Sequence, residues 1–343
     1  MSKRAYTIKE VAEDAGLSVK TVSRVLNNEI YVTDETRRVV MESVKKLGYQ
    51  RNAYARGLRA EKSNFYGLFY ANSMAGYHSE VLHGVLAKCK AEDLHLIVEL
   101  LKDRKLYDQL EDFVAQFRLD GAVLLPPHCD DQKILRIFAR HNVPVVRVAP
   151  MYNHDTALSV GIDDEKAGYD ITRYLLTLGH RRIGFIEGIP DHAATPQRRK
   201  GARRALAEFG LDINDELVRS GRFDFDSGLA GTLELMALDI PPTAIVASND
   251  FAAAGVIAAA TRLGVAVPAK LSVTGFDDSP ISGFVTPAIT TVRQPVRELG
   301  MEAINIVMEF RKGIKKKAST IRKVLAHDLI ERASTAAPEF IAK

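Results

Sequence analysis

The sequence predicts a small all-α unit followed by a larger α/β unit built on doubly wound parallel sheets. Three observations carry this. Residues 7–47 hold short apolar patterns of helical period around glycines. From Phe65 onward, apolar strand patterns alternate with amphipathic helical ones, and that alternation builds parallel sheets with helices on both faces. Charge is also unevenly divided. Residues 1–62 carry 13 Lys/Arg against 8 Asp/Glu, a net of +5, whereas the remaining 281 carry 34 against 35.

In the first unit, Ile8, Val11, Ala12 and Ala15 fall on one helical face. Thr7 is the expected N-cap, with Glu10 as its capping-box partner, and Gly16 ends the helix in the left-handed conformation. Ser18 caps a second helix whose apolar face is Val22, Val25 and Leu26. Its other face carries Val19, Lys20, Ser23 and Arg24, which have no reason to be buried. Two helices joined this way form a helix-turn-helix, which places the start of its second helix in the DNA major groove. A basic N-terminal sixth is what phosphate binding requires. A third helix starts at Thr33 or Asp34, turns Val39, Val40, Ser43, Val44 and Leu47 inward, and ends at Gly48-Tyr49. The basic stretch from Arg51 to Lys62 is helix-compatible but short, and Gly57 weakens it by up to ~1 kcal/mol. It is expected to become helical only on DNA.

In the second unit the expected strands are Phe65–Tyr70, His95–Leu100, Gly121–Leu125, Val145–Val148, Leu158–Ile162, Arg182–Glu187, Ala244–Ala247 and Ser272–Phe276. Helical segments between them include Ser79–Glu92, Glu165–Leu178, Arg198–Phe209 and Phe251–Leu263. So many units fit two sheets better than one. Open α/β sheets bind ligands beyond the carboxyl ends of their strands, where Asn72/Ser73, Asn249-Asp250 and Asp277-Asp278 fall.

Composition narrows the function. Hydrophobic residues make up 46% of the chain, yet no apolar run reaches the ~18 residues that span a bilayer. The N-terminus has no apolar secretion segment, so a cytoplasmic protein is expected, associated with the nucleoid through DNA. Cys89 and Cys129 are the only cysteines and lie in no metal spacing, so reduced thiols, no metal and no cofactor are expected. The sequence contains no GxGxxG, GxxxxGK[ST] or GxSxG, which argues against an enzyme. A free exported binding protein would need a signal peptide and would lack the basic headpiece.

Tyr6–Asn27, Leu47-Gly48-Tyr49, Gly179-His180-Arg181-Arg182-Ile183, Ala247-Ser248-Asn249-Asp250, and Gly275-Phe276-Asp277-Asp278 with Thr290-Thr291-Val292 together resemble the lac-repressor family of bacterial transcription factors. The resemblance runs from about residue 6 to about residue 330. It implies a helix-turn-helix headpiece (1–50), a hinge helix (51–63) and a two-lobed effector domain shaped like periplasmic sugar-binding proteins (64–343). The N-lobe would comprise about 64–162 and 294–325, the C-lobe about 163–293 and 326–343. Further implied are a homodimer, palindromic operator DNA and a small-molecule effector.

Residue by residue, the resemblance makes Val19, Lys20 and Arg24 base readers. Thr7, Thr21, Ser23, Asn27 and Tyr49 become phosphate contacts, and Ser18 is a further DNA-binding residue. Asn52, Ala55, Leu58 and Arg59 belong to the hinge, with Leu58 wedged into a minor-groove step. The effector contacts would be Arg198, Asn249 and Asp277, with Tyr77 and Phe223 against a ring, and Arg147 as an unusual addition. Ala149 and Leu125 stand where sugar-binding relatives have polar residues. With Arg147 and the His192/Arg198/Arg199 cluster, this opens the pocket to an anionic or modified sugar, or to a sugar held through different groups. The implied function is a repressor of carbohydrate-utilisation genes, released from its operator by a sugar-like inducer. The alternative is a corepressor-dependent regulator of a non-sugar metabolite. A dimer through Ser79–Glu92 is expected, because Ala333–Lys343 lacks the apolar heptads of a tetramerising coiled coil, and Lys315-Lys316-Lys317 reads as a solvated loop.

Overall fold

The computed structural model describes residues 6–26, 29, 31–49, 63–71, 76–102, 106–151, 158–313 and 320–339. It divides into two compact units, Met1–Ser63 and Asn64–Lys343. The hinge expectations at Asn52, Ala55, Leu58 and Arg59, together with Asn27, Asn72/Ser73 and Lys315-Lys316-Lys317, lie outside the described residues.

The headpiece contains α1 (Ile8–Asp14), α2 (Val19–Leu26) and α3 (Asp34–Leu47). The Thr7 backbone N–H donates to Glu10 Oε2 at 2.7 Å, the reciprocal half of a capping box. Thr21 N–H donates to Ser18 Oγ at 3.1 Å, so Ser18 caps α2. Gly16 (φ 62°) and Gly48 (φ 61°) are both left-handed, as the ends of α1 and α3 require. Val11, Ala12, Val22, Val25 and Val40 form the core. Val19 departs from the exposed position expected of it. It is half-buried against that core.

Among the described residues, the second unit holds two six-stranded sheets. The first uses β1 (Phe65–Tyr70), β2 (His95–Leu100), β3 (Gly121–Leu124), β4 (Val145–Val148), β5 (Leu158–Ile162) and β11 (Ile321–Leu325) in the order β11-β5-β4-β3-β1-β2. All its pairings are parallel. Its helices are α4 (Tyr77–Ala91), α5 (Leu106–Gln116), α6 (Gln132–Arg140) and α12 (Val296–Arg311). The second sheet uses β6 (Ile183–Ile186), β7 (Val218–Arg219), β8 (Ala244–Ala247), β9 (Ser272–Asp277), β10 (Thr290–Arg293) and β12 (Asp328–Ile330) in the order β12-β10-β9-β8-β6-β7. Only β12 is antiparallel, to β10. Its helices are α7 (Asp164–Thr177), α8 (Ala194–Ala207), α9 (Phe225–Met236), α10 (Asp250–Arg262) and α11 (Ile281–Phe284).

The chain passes between the lobes three times: after β5, between β10 and α12, and between β11 and β12. The edge strands β7, β11 and β12 have no counterpart among the sequence-expected strands. Arg322 and Lys323 of β11 are exposed and break any apolar run. Paired helices approach closely through glycine. α4 meets α12 at Gly84, α7 meets α8 at Gly168 and Gly201, and α9 meets α10 at Gly228 and Gly255. A Cβ at any of these would lie inside the van der Waals envelope of the partner's backbone. Among the described residues no helix is long and apolar enough to cross a membrane, and no cluster of three His, Cys, Asp or Glu could hold a metal ion.

Candidate functional site

On the headpiece, Lys20 and Arg24 are exposed on α2, whose opposite face packs Val22 and Val25 into the core. Ser18 and Thr21 hydroxyls lie 2.9 Å apart at its start. Thr7 is exposed at the start of α1, Ser23 is half-buried, and Tyr49 packs partly against the core. Lys46 Nζ lies 2.6 Å from Asp14 Oδ1 and ties α3 to α1, behind the face that α2 presents.

In the larger unit, the loops beyond the carboxyl ends of both sheets enclose a cavity lined by Tyr77, Ala149, Asp164, His192, Ala194, Arg198, Phe223, Asn249, Asp277 and Gln294. Its volume is about 30 Å³, room for a water or two. A wider polar pocket of about 340 Å³ shares Ala149 and Asp164 with it and runs past Met151, Gln197 and Arg322. Five of the six sequence-expected effector residues thus come together.

Each is held by a different device. Asp277 ends β9 at φ 103° and accepts a 2.7 Å bond from Gln294 Nε2. Gln294 lies on the passage between lobes just after β10. Burial raises the Asp277 carboxyl pKa to about 6, against the opposing pull of Arg198 and Gln294. Arg198 does not pair with Asp277. Its Nε donates to Asp164 Oδ1 at 2.8 Å, its Nη1 donates to the Ser248 carbonyl at 2.9 Å, and its guanidinium carbon sits 3.3 Å from the Phe276 ring centre. Asn249 caps α10 by accepting from Ala252 N–H at 2.9 Å and donates Nδ2 to the Phe223 carbonyl at 2.8 Å. One N–H and one lone pair of its amide remain for anything else. That bond holds Phe223 in a left-handed conformation (φ 60°), its ring 5.0 Å from the His192 ring and closed over Gly188, where a Cβ would strike it.

Tyr77 opens α4 and is half-buried. Its hydroxyl is buried with no hydrogen-bond partner among the described residues, and burial pushes its pKa well above the usual phenol range. His192 Nδ1 accepts the Ala194 backbone N–H at 3.4 Å, so the neutral ring carries its proton on Nε2, which has no partner. Burial, with Arg198 and His78 nearby, lowers its pKa to about 3. An imidazole kept neutral in the fold but titrating near 6.5 unfolded supports stability above pH 6.5 and withdraws that support as pH falls toward 3. His192→Gln should therefore flatten the acid limb. Between pH 6 and 4, its unfolding free energy should fall less steeply than wild type, by up to about 1.4 kcal/mol per pH unit. Parallel slopes in urea titrations would contradict this.

Three sequence-based expectations need correction. Arg147 does not line the cavity. It is buried in β4, its Nη1 donates to Asp130 Oδ1 at 2.9 Å, and Asp130 Oδ2 accepts Met151 N–H at 2.7 Å. It braces the loop after β4. Arg199 is likewise occupied, by Glu187 at 3.4 Å and Asp215 at 2.8 Å. Of the strand-end acids, Asp277 is the one that faces the cavity. Asp250 is buried, raised to about pKa 7 mainly by burial, and accepts from Thr291 Oγ1 at 2.6 Å and from Ser279 N–H at 2.6 Å. Asp278 bridges Arg293 and Arg332, both at 2.6 Å. Gln294 had no sequence signal. Asp164, at the start of α7 beside its cap Asp163, was not among the expected effector residues.

A helix-turn-helix unit joined to a two-lobed α/β unit with a polar cleft at its strand ends defines a DNA-binding regulator. The comparisons agree. Residues 7–52 match the model of bacterial regulatory proteins, lacI family, and residues 172–335 match a periplasmic binding protein-like domain. The chain is 30% identical over 336 residues to the probable HTH-type transcriptional repressor ExuR of Bacillus subtilis (strain 168), covering 96% of this chain and 99% of that one. Two solved structures are similar in fold and 26–27% identical in sequence. The lac repressor dimer bound to operator and the anti-inducer ONPF superposes with a TM-score of 0.87, at 26% identity over 97% of this chain and 100% of that one. The transcriptional regulator CelR–cellobiose complex gives 0.74, at 27% identity over 96% and 99%. The chain belongs to the lacI family. It is a DNA-binding transcriptional regulator and not an enzyme.

Proposed function

We propose that the protein represses carbohydrate-utilisation genes from a palindromic operator and is released by a saccharide bound between its lobes. The observation that carries this is the hydrogen-bonding inventory of the cleft. The Tyr77 hydroxyl and His192 Nε2–H are unpartnered and buried, Arg198 has donor positions beyond its two bonds, and the Asp277 carboxylate accepts only from Gln294 among the described bonds. Alternating donors and acceptors beside an aromatic face suit adjacent hydroxyls on a ring. The cellobiose in the CelR structure fits the same reading. Asn249 then acts mainly by positioning Phe223.

On DNA, Lys20 and Arg24 read base edges, with Val19 alongside. Ser18, Thr21, Ser23, Thr7, Asn27 and Tyr49 set the register on phosphates, and the hinge (Asn52, Ala55, Leu58, Arg59) enters the minor groove of a central step. Arg24 carries only a loose 3.6 Å pair with Glu29, so its guanidinium is available. Arg24→Ala should weaken operator binding by ~1–3 kcal/mol and relax one base position per half-site. Selection from random DNA checks it; an unchanged preference at every position would remove Arg24 from the readers. The active form is a dimer through the effector units, and α4, with Leu86 exposed at its outer face, contributes to the contact. A monomer or a stable tetramer at micromolar protein in sedimentation would overturn that. The whole proposal is tested by anisotropy with labelled operator. Saccharides that raise the melting temperature should release the DNA, and ligands that tighten binding instead would reverse the polarity of the switch.

A further inference from the structure

The chain enters the larger unit at Asn64, and side chains fasten that entry as well as the sheet. Asn64 is left-handed (φ 60°), a conformation its short amide side chain tolerates better than most. Its N–H donates to Asp120 Oδ2 at 2.8 Å, and its carbonyl accepts the His95 N–H at 2.8 Å. One residue on, the Phe65 carbonyl accepts the Asp120 N–H at 2.7 Å. Asp120 is buried just before β3, and its other oxygen, Oδ1, accepts from Arg311 Nη2. Arg311 is the last residue of α12. That helix lies close over this corner. A Cβ on Gly121 would stand 2.4 Å from Val307 of α12 and 3.2 Å from the Tyr66 ring. Burial, and then the Asp120 carboxylate, raise the Tyr66 phenol to about 12. One buried carboxylate thus ties the entry to β1 to the end of α12, residues 56 and 191 positions away in sequence. The strand itself does not need this tie. β1 is already paired with β2 from Phe65 to Tyr70 and with β3 from Tyr66 to Phe69. The bond to the Asn64 N–H fixes a residue ahead of the strand, the one that sets where the basic stretch Arg51–Lys62 joins.

We propose that Asp120 is a positioning residue for operator binding. It fixes the point at which each subunit's headpiece segment leaves the effector unit, and so the spacing at which a dimer engages two half-sites. This rests on the dimer and palindrome reading above and goes beyond it. Two headpieces on one frame bind a palindrome tightly because the second contact forms at a high effective concentration, which falls when the connection loosens. A backbone residue freed from one conformation costs roughly tenfold to fix again, and a dimer fixes one in each subunit. A single half-site engages one headpiece and does not feel that loss.

The test uses the full-length protein, an operator recovered from random DNA with wild type, a single half-site of the same sequence, and operators lengthened at their centre. The quantity read is the ratio of operator affinity to half-site affinity. In Asp120→Ala that ratio should fall by roughly tenfold or more. Half-site affinity should stay within about twofold of wild type, and lengthening the operator should cost the variant less than it costs wild type. A loss of stability alone would lower both affinities together and leave the ratio unchanged. Asp120→Asn keeps an acceptor for the Asn64 N–H but loses the charge opposite Arg311, so its ratio should fall between the two. If Asp120→Ala does not fold, Asp120→Asn decides: a ratio lower by about threefold or more upholds the inference, and the wild-type ratio overturns it. An Asp120→Ala protein with the wild-type ratio and spacing preference overturns the inference and leaves the dimer reading intact. Wild type that binds the half-site as tightly as the operator removes the palindrome reading, and this inference with it.

Discussion

Asp277→Ala should abolish release of operator by ligand while leaving ligand-free operator affinity within about twofold of wild type. Asp277 belongs to the compact unit Asn64–Lys343, and the base-reading helix belongs to the other. The expectation that the fold survives has its own physical basis. A carboxyl whose pKa rises from 3.8 to about 6 on folding is held at a cost once it ionises. That group favours the folded state only when protonated, so its contribution diminishes as pH rises from about 4 to 6 and is unfavourable at neutral pH. Removing the carboxylate relieves a burden of roughly 2–3 kcal/mol at pH 7, set against the lost bond from Gln294. The variant should therefore be no less stable than wild type at pH 7 and comparatively worse off at pH 4. Anisotropy titration measures the response, and urea unfolding at the two pH values measures the stability. A variant that still released DNA at the wild-type ligand concentration would take Asp277 out of the site. Equal loss of operator binding without ligand would mean that Asp277 is structural.

The parts of this molecule that were legible in advance are those whose cause lies within a few residues. The capping box of Thr7 and Glu10, the Ser18 cap and the left-handed Gly16 and Gly48 are interactions over three or four positions. Helix α8 shows where such reading stops. The segment expected over Arg198–Phe209 starts four residues earlier, at Ala194, and carries Pro196 in its first turn, where proline is tolerated. The site was half legible. Tyr77, Arg198, Phe223, Asn249 and Asp277 do converge, but their partners could not be read. Arg147 and Asp130 are 17 residues apart, Arg198 and Asp164 are 34 apart, and Gln294 reaches Asp277 only because the chain crosses between lobes after β10. An unpaired arginine and a neutralised one look identical in sequence, which is why the cleft read as a candidate anion site.

Gly201→Ala should be among the most damaging single-methyl additions in the protein. Helices α7 and α8 touch backbone to backbone through reciprocal glycines. A Cβ on Gly168 would stand 2.6 Å from Arg198 Cα and one on Gly201 would stand 2.6 Å from Tyr169 N, with the Glu165 carbonyl closer still. Neither obstacle is the end of a flexible side chain, so the helices themselves must separate. In a helix interior the substitution would otherwise gain up to about 1 kcal/mol from propensity. Overpacking against backbone costs about 1–3 kcal/mol or more, and here it wins. The same crossing sets the Arg198–Asp164 pair at 2.8 Å, so a shift of a few tenths of an ångström loosens the guanidinium that faces the cavity. The expected result is a melting temperature lower by several degrees, at about 2–4 °C per kcal/mol for a unit of this size, with ligand affinity reduced about tenfold or more. Gly283→Ala is the matched control. Nothing lies within 4 Å of a Cβ there, and that variant should be neutral or slightly stabilised. If both alanine variants melt together and bind ligand alike, the α7–α8 contact is yielding, and Arg198 is positioned by something other than these two glycines.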